Sequence, residues 1–210
     1  MFRIAKLSDL QQITDLDFKV RIANSPGYFT MMGKSFLKEY YRIVLNDPYE
    51  VIICAEDSDG NILGFNSASL DVKKQFVRMR KKKWRMVLAS LPSFIKHPSL
   101  IKMTLQRYQA TAGNHDKRYI PEEGARGEYW VWDPEKPNGL LNAGLYNAFL
   151  KILYNLGVNI LQFEVDADNE TVLSFVKRNK AYEVEKVTLQ DGRERYLMEY
   201  NLKDKYSKTK

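Results

Sequence analysis

The second half of the chain confines the fold more than any other stretch. "EYWVWD", beginning at Glu128, reads as a strand because its aromatic residues and Val131 favour the pleated state. "PEKPNG" is turn chemistry, and "LLNAGLYNAFLKILYNLG" is a long apolar helix closed by Gly157, a residue suited to the C′ position. "VNILQFEV" gives a second strand. "DADNETVLSFVKRN" is then a polar junction that opens at once into a short helix, with Val172, Leu173 and Phe175 on its buried side. "YEVEKVTL" and "RERYLMEYNL" close as a hairpin across "QDG". Strands that alternate with helices make an α/β protein, and a strand feeding a helix at a polar junction is where many such proteins hold a ligand.

The first half reads β-α-α-β-β. "FRIAKL" alternates as a strand, and Ser8 with Gln11 three residues on forms a capping-box signature before a stripe of Leu10, Ile13, Leu16 and Val20. "SPGYFTMMG" breaks the pattern. A second helix follows with Ser35 as its cap and Phe36, Leu37, Tyr40, Tyr41 and Val44 on one side. "EVIICAED" and "NILGFNSASL" are strands joined by the hairpin turn "DSDGN".

Between the halves lies a different kind of segment. From Lys73 to Arg126 there are 14 Lys and Arg against 3 acids, whereas the rest of the chain has 19 against 23, so the total of +7 hides one basic segment on a mildly acidic body. Trp84, Val87, Leu88 and Leu91 recur at helical spacing and predict a basic amphipathic helix. Pro92 disfavours its continuation, Pro98 suits a helix start, and Ile101, Leu105 and Tyr108 mark a shorter helix. "ATAGNHDKRYIPEEGARG" then reads as a polar loop. The expected organisation is one domain over residues 1–202, with residues 73–126 as a basic helical insertion and residues 203–210 as a flexible basic tail.

Several function classes fall away. No run of about 18 apolar residues offers a transmembrane helix, and "MFRIAKLSDLQQ" has no signal-peptide core, so a cytoplasmic protein is expected. Cys54, the only cysteine, sits in an apolar run and reads as a buried, unreactive thiol. His97 and His115 have no acidic or cysteine partners at ligand spacing, so no metal site is expected.

The loop "KPNGLL" at a helix mouth suits an anion, phosphates above all, although a bland helix start would look the same. The wider stretch "WVWDPEKPNGLLNAGLYNAFLKILYNLGVNILQFEVDADNETVLSFVKRN" resembles the GNAT superfamily of acyl-CoA-dependent N-acyltransferases. There a strand with a V-x-P type turn leads to a Q/R-x-x-G-x-G/A loop, a helix, a strand and N-x-x-A-x-x-F-Y-x-K-x-G-F. "PGYFTMMGKSFLKEYY", "AEDSDGNILGF" and "HPSLIKMTLQRY" look like a subgroup often encoded among polysaccharide-biosynthesis genes. The resemblance covers Phe2 to about Leu202.

It implies a mixed, mainly antiparallel sheet splayed between its fourth and fifth strands, helices on both faces, and a helical insertion between the third and fourth strands. It further implies acetyl-CoA as co-substrate and a small-molecule amine as acceptor, an amino sugar or nucleotide-linked amino sugar on the subgroup likeness. The pantetheine arm would pair with Val131, Trp132 and Asp133. The pyrophosphate would sit on the amides of Asn138, Gly139, Leu140, Leu141 and Asn142, with Lys136 adding charge, and Asn169 would bond near the pantetheine. Three departures stand out: Leu141 replaces a small residue, Val176 replaces a proton-donating Tyr, and Lys180-Ala181 replaces Gly-Phe.

Alternatives stay open at this point. Tyr182 is a candidate acid in place of the absent Tyr, against a packed strand residue. Glu128 is the first candidate base, ahead of Asp133 and Glu164, against surface carboxylates. Trp130 and Trp132 are core by default, with one ring able to line an acceptor pocket. The departures also fit a degenerate, non-catalytic CoA-binding member. "RMRKKKWR" suits a solvated face, an anionic membrane surface (which would make the protein peripheral to the inner membrane face) or a charged acceptor. Nucleic acid ranks last for want of interleaved aromatics, and a homodimer is left open.

Overall fold

The computed structural model describes residues 1–24, 27–112, 123–188 and 192–207. Its strands are β1 (Phe2–Ile4), β2 (Glu50–Glu56), β3 (Ile62–Ser69), β4 (Ala125–Trp132), β5 (Ile160–Asp166), β6 (Tyr182–Thr188) and β7 (Glu194–Asn201). Its helices are α1 (Leu10–Asn24), α2 (Tyr28–Met31), α3 (Gly33–Leu45), α4 (Val72–Lys81), α5 (Lys83–Lys96), α6 (Ser99–Ala112), α7 (Gly139–Asn155), α8 (Glu170–Arg178) and α9 (Leu202–Ser207). The strands form one sheet in the order β1-β2-β3-β4-β5-β7-β6, antiparallel throughout except where β4 lies parallel to β5.

Burial explains why the strands read as they do. In β2 the continuous run Val51–Ala55 is covered on both faces. Val51, Ile53 and Ala55 join the core of α7 (Leu145, Phe149, Leu150), and Ile52 and Cys54 join that of α1 and α3 (Ile13, Leu37, Tyr41). β5 alternates instead. Leu161, Phe163 and Val165 enter the α7 and α8 core, whereas Glu164 and Asp166 carry ion pairs to Arg195 at 2.9 and 2.6 Å. The mixed sheet with helices on both faces is thus present, with α4, α5 and α6 as the helical insertion between β3 and β4.

Local details differ from expectation for identifiable reasons. A 3-10 turn at Leu7–Asp9 precedes α1, and Asp9 rather than Ser8 forms the cap, accepting the Lys6 backbone N–H at 2.7 Å while paired to Arg3. α3 starts at Gly33, so Ser35 is inside it and caps nothing. "YFTM" forms the short helix α2 where a break was expected. Pro92 does not end α5 but sits within it, on an exposed side, and has no N–H to donate to the carbonyl of Leu88 four residues back. Nor is residues 203–207 a frayed tail: Leu202 is fully buried and Tyr206 packs its ring 5.4 Å from that of Tyr154, which holds α9 against α7. Gln190 and Asp191 of the "QDG" turn and residues 113–122 of the polar loop lie outside the described residues, as does the end of the tail.

α8 ends in a left-handed residue. Lys180 has φ +74°, and the following amide, Ala181 N–H, closes onto the carbonyl of Val176 at 2.9 Å. The backbone at this site has a glycine's shape, and the lysine Cβ costs about 1 kcal/mol there. Lys180→Gly should therefore raise the unfolding free energy by about that amount, read from the midpoint of urea denaturation. A destabilised variant would show that the lysine side chain contributes more than its Cβ costs.

Candidate functional site

The parallel ladder between β4 and β5 is short. Only Ala125 with Leu161 and Arg126 with Gln162 are in register. At the next position a Cβ on Gly127 would stand 3.3 Å from that of Phe163, so the strands last touch where one side chain is missing. Beyond that point β4 stays paired to β3 as far as Trp132, and β5 to β7 as far as Asp166. The facing edges of β4 and β5 diverge, which leaves strand backbone on each side without a ladder partner and available to a ligand or water.

The helix mouth of α7 lies directly beyond the end of β4 in sequence. Asn138 is its N-cap: the side-chain oxygen accepts Leu141 N–H at 2.9 Å, and its carbonyl accepts Asn142 N–H at 2.9 Å. Two of the five amides expected to face a pyrophosphate are therefore committed within the helix, and those of Gly139 and Leu140 are the first-turn donors that point outward. A Cβ on Gly139 would meet nothing within 4 Å, so the approach is open. Both β4 indoles tie this region to the strand. Trp130 Nε1 donates to Asn142 Oδ1 at 2.7 Å and Trp132 Nε1 to the Lys136 carbonyl at 2.9 Å. Gly64 on β3 makes room for the second: a Cβ there would run into the Trp132 ring and stand 2.8 Å from the Val131 carbonyl oxygen.

Most of the predicted cofactor residues thus fall together at the fork, but several side chains already have partners. Val131 is buried in the α1 and α3 core, so only its backbone is offered. Asp133 pairs with Lys19 at 2.8 Å, and the Lys136 ammonium stands 3.5 Å from Asp57. Leu140 is 89% exposed, an apolar side chain held in water at the helix mouth, whereas Leu141 is half-buried. Asn169 caps α8 by accepting Val172 N–H at 3.1 Å, which accounts structurally for the residue at the end of β5. Val176 is fully buried, with its carbonyl accepting the Tyr200 hydroxyl at 3.3 Å. Tyr182 is not brought to the fork. It opens the outermost strand, half exposed, with β7 between it and β5.

Glu128 occupies a distinctive position. Ser67 pairs with Tyr129 and Ala68 with Gly127, so Glu128 is the extra residue of a β-bulge in β4. Its carboxylate accepts the Tyr40 hydroxyl at 2.9 Å and the Gln75 side-chain amide at 2.6 Å. Burial, reinforced by the Glu128 carboxylate, pushes Glu50 up to about 9. The same two causes push the Tyr129 hydroxyl up to about 12. Across this wall Arg21 lies 5.2 Å from the Phe29 ring and 4.8 Å from that of Tyr129. Burial opposes its charge, yet Asp17 at 2.7 Å more than compensates and keeps it above its ordinary value. Arg21, Tyr40, Glu50 and Gln75 come from four separate elements, so no local pattern in the chain singles them out.

Cys54 is fully buried, and that burial pushes its thiol up to about 11, as suits an unreactive thiol. Among the described residues no group of three or more His, Cys, Asp or Glu is gathered to hold a metal ion.

The Glu50 environment has a measurable signature. A carboxyl raised from its ordinary value to about 9 binds its proton more tightly folded than unfolded. Its stabilising contribution is complete below about pH 4.5 and is lost as pH rises through about 9. Glu50→Gln keeps the shape without the titration, so its melting temperature relative to the native chain should increase from pH 5 to pH 9. A constant difference across that range would mean that Glu50 is ionised in the folded protein.

No described protein family matches the chain, and no curated protein sequence matches it. Solved structures do. A spermidine N-acetyltransferase from Vibrio cholerae (F149A mutant) superposes with a TM-score of 0.63 over 100% of this chain and 99% of its own, at 13% identity. A ribosomal-protein-alanine N-acetyltransferase from Brucella melitensis gives 0.60 over 96% and 99%, at 11% identity. An N-acetyltransferase from Staphylococcus aureus gives 0.60 over 96% and 98%, at 14% identity. The chain has the fold of the GNAT acetyltransferases, and the parallel β4–β5 pair fits the splay of that fold.

Proposed function

We propose that this protein moves an acyl group, acetyl in the first instance, from acyl-CoA to a primary amine. The observation that carries the reading is the two-rung contact between β4 and β5 that opens beside the mouth of α7. An extended, amide-rich arm can pair with the free edge of β4 at Val131–Asp133. The Gly139 and Leu140 amides offer an anion donors oriented along the helix dipole. Leu140 offers an apolar contact to whatever covers that mouth.

The reaction is direct attack. The amine lone pair forms the N–C bond at the thioester carbonyl, the C–S bond breaks, and the sulfur leaves as CoA thiolate. Glu128 is the carboxylate assigned to take the proton lost by the amine, directly or through one water, because the bulge turns it off the regular pleat while Tyr40 and Gln75 fix its orientation. The thiolate takes its proton from solvent, since Val176 supplies no hydroxyl and Tyr182 opens β6, with β5 and β7 between it and β4. Positioning alone can account for a large part of the rate.

For the acceptor, an amino sugar rests on the subgroup likeness of the sequence. The similar structures are named for spermidine and a ribosomal protein instead. A primary amine is the chemistry common to these acceptors.

Titration calorimetry with acetyl-CoA should show binding. Gly139→Asp should weaken it at least about tenfold by setting a carboxylate against the pyrophosphate, while leaving stability unchanged or raised, because an acid is favourable in a helix's first turn. With a panel of amino sugars and polyamines, Glu128→Gln should lower kcat by about 10²–10⁴ and leave acetyl-CoA affinity alone. Absence of binding at millimolar acetyl-CoA would overturn the assignment. Binding without turnover of any amine would favour a degenerate carrier.

A further inference from the structure

The insertion presents its apolar stripe to water. α5 packs on α3 through Met86, Ser90 and Phe94, in a cluster with Met32, Phe36 and Leu100. The opposite side of the helix carries Trp84, Leu88, Leu91 and Ile95 at i, i+4, i+7 and i+11, and they are 68%, 64%, 45% and 80% exposed. Of the nineteen large apolar residues exposed among the described ones, nine fall between Phe76 and Leu105, so this is the region where unpartnered apolar surface collects.

Charge narrows what can cover it. Between Asp71 and Asp116 the sequence has no acidic residue and 11 Lys and Arg. Three of these cations pair inward, Arg78 with Asp47, Arg85 with Glu39 and Lys74 with Asp71. Lys73, Arg80, Lys81, Lys96 and Lys102 are exposed and make no ion pair with a described acid. A second copy of the chain laid on this face would set cations against cations. Nucleic acid would satisfy the charge but leave the aliphatic stripe uncovered.

We propose that the outer face of α5 docks on the surface of an anionic lipid bilayer, with Trp84, Leu88, Leu91 and Ile95 entering the headgroup–acyl boundary and the flanking lysines on the phosphates. This is the arrangement of a helix that lies in the interface, where apolar burial and attraction to anionic lipid add. No helix among the described residues is long and apolar enough to cross a membrane, so the contact is peripheral.

The full chain is tested by co-sedimentation with phosphatidylcholine vesicles, with and without phosphatidylglycerol. It should bind the anionic vesicles only, less at high salt. Its tryptophan emission should shift to the blue, and Trp84→Phe should remove that shift. Leu88→Asp with Ile95→Asp should abolish binding at an unchanged melting temperature, since both side chains are exposed in the free protein. Arg80→Gln with Lys81→Gln should weaken it about tenfold or more. The proposal fails if anionic vesicles are not bound, or if the double aspartate variant binds as well as the native chain. It fails equally if light scattering shows a dimer that the aspartates split. Vesicle binding is read without any reaction, so loss of acetyl-CoA binding would leave this inference standing.

Discussion

The site depends on one incomplete contact. β4 and β5 run parallel, share two register positions, and then part. The aromatic rings below the opening form part of the core on that face: Trp130 lies 4.4 Å from Tyr146 and 5.1 Å from Phe175. Packing there fills the space under the fork while the strand edges above it diverge. Gly127 sets the branch point, because it is where the strands are close enough that a side chain would press on Phe163.

The fork also divides the sheet by cover. On one side, β2 and β3 lie between two helical layers and have few exposed residues. On the other, β6 is exposed along nearly its whole length, and β5 carries a row of ion-paired carboxylates on its second face. The β1–β4 side of the sheet contributes Glu128 from β4, with its partners Tyr40 from α3 and Gln75 from α4. The chain connecting β4 to β5 contributes the α7 mouth. A site assembled at such a boundary draws rigid geometry from the packed half while keeping an open approach.

Much of the fold was legible because its signals are local. Gly157 closes α7 with φ +89°, as its position after an apolar helix predicts. The order of the strands survives intact, with α2, α4 and α9 added to the expected helices, and the loop at Asn138 is a helix mouth. Side-chain commitments were not legible. Asn138, Asn142 and Asn169 read as ligand contacts, but each makes a hydrogen bond that ties the scaffold together, and no local pattern shows whether an amide is spent internally. α5 shows a different gap. Its inward side contains Ser90 and Ser93, which lie outside the apolar stripe that marked the helix. In the structure the Ser90 hydroxyl donates to the Met86 carbonyl at 2.7 Å and that of Ser93 to Met32 at 2.8 Å. Satisfied in this way, small polar residues can face a core. Apolar periodicity alone therefore marks the stripe without saying which way it turns.

Cys54 gives the molecule an internal clock. It is the only thiol, it sits on the second strand from one edge of the sheet, and water does not reach it. A disulfide reagent can modify it only while β1 or the overlying helices are lifted away. Under native conditions the labelling rate therefore counts openings of the packed half alone, in a chain with no second sulfhydryl to confuse the signal.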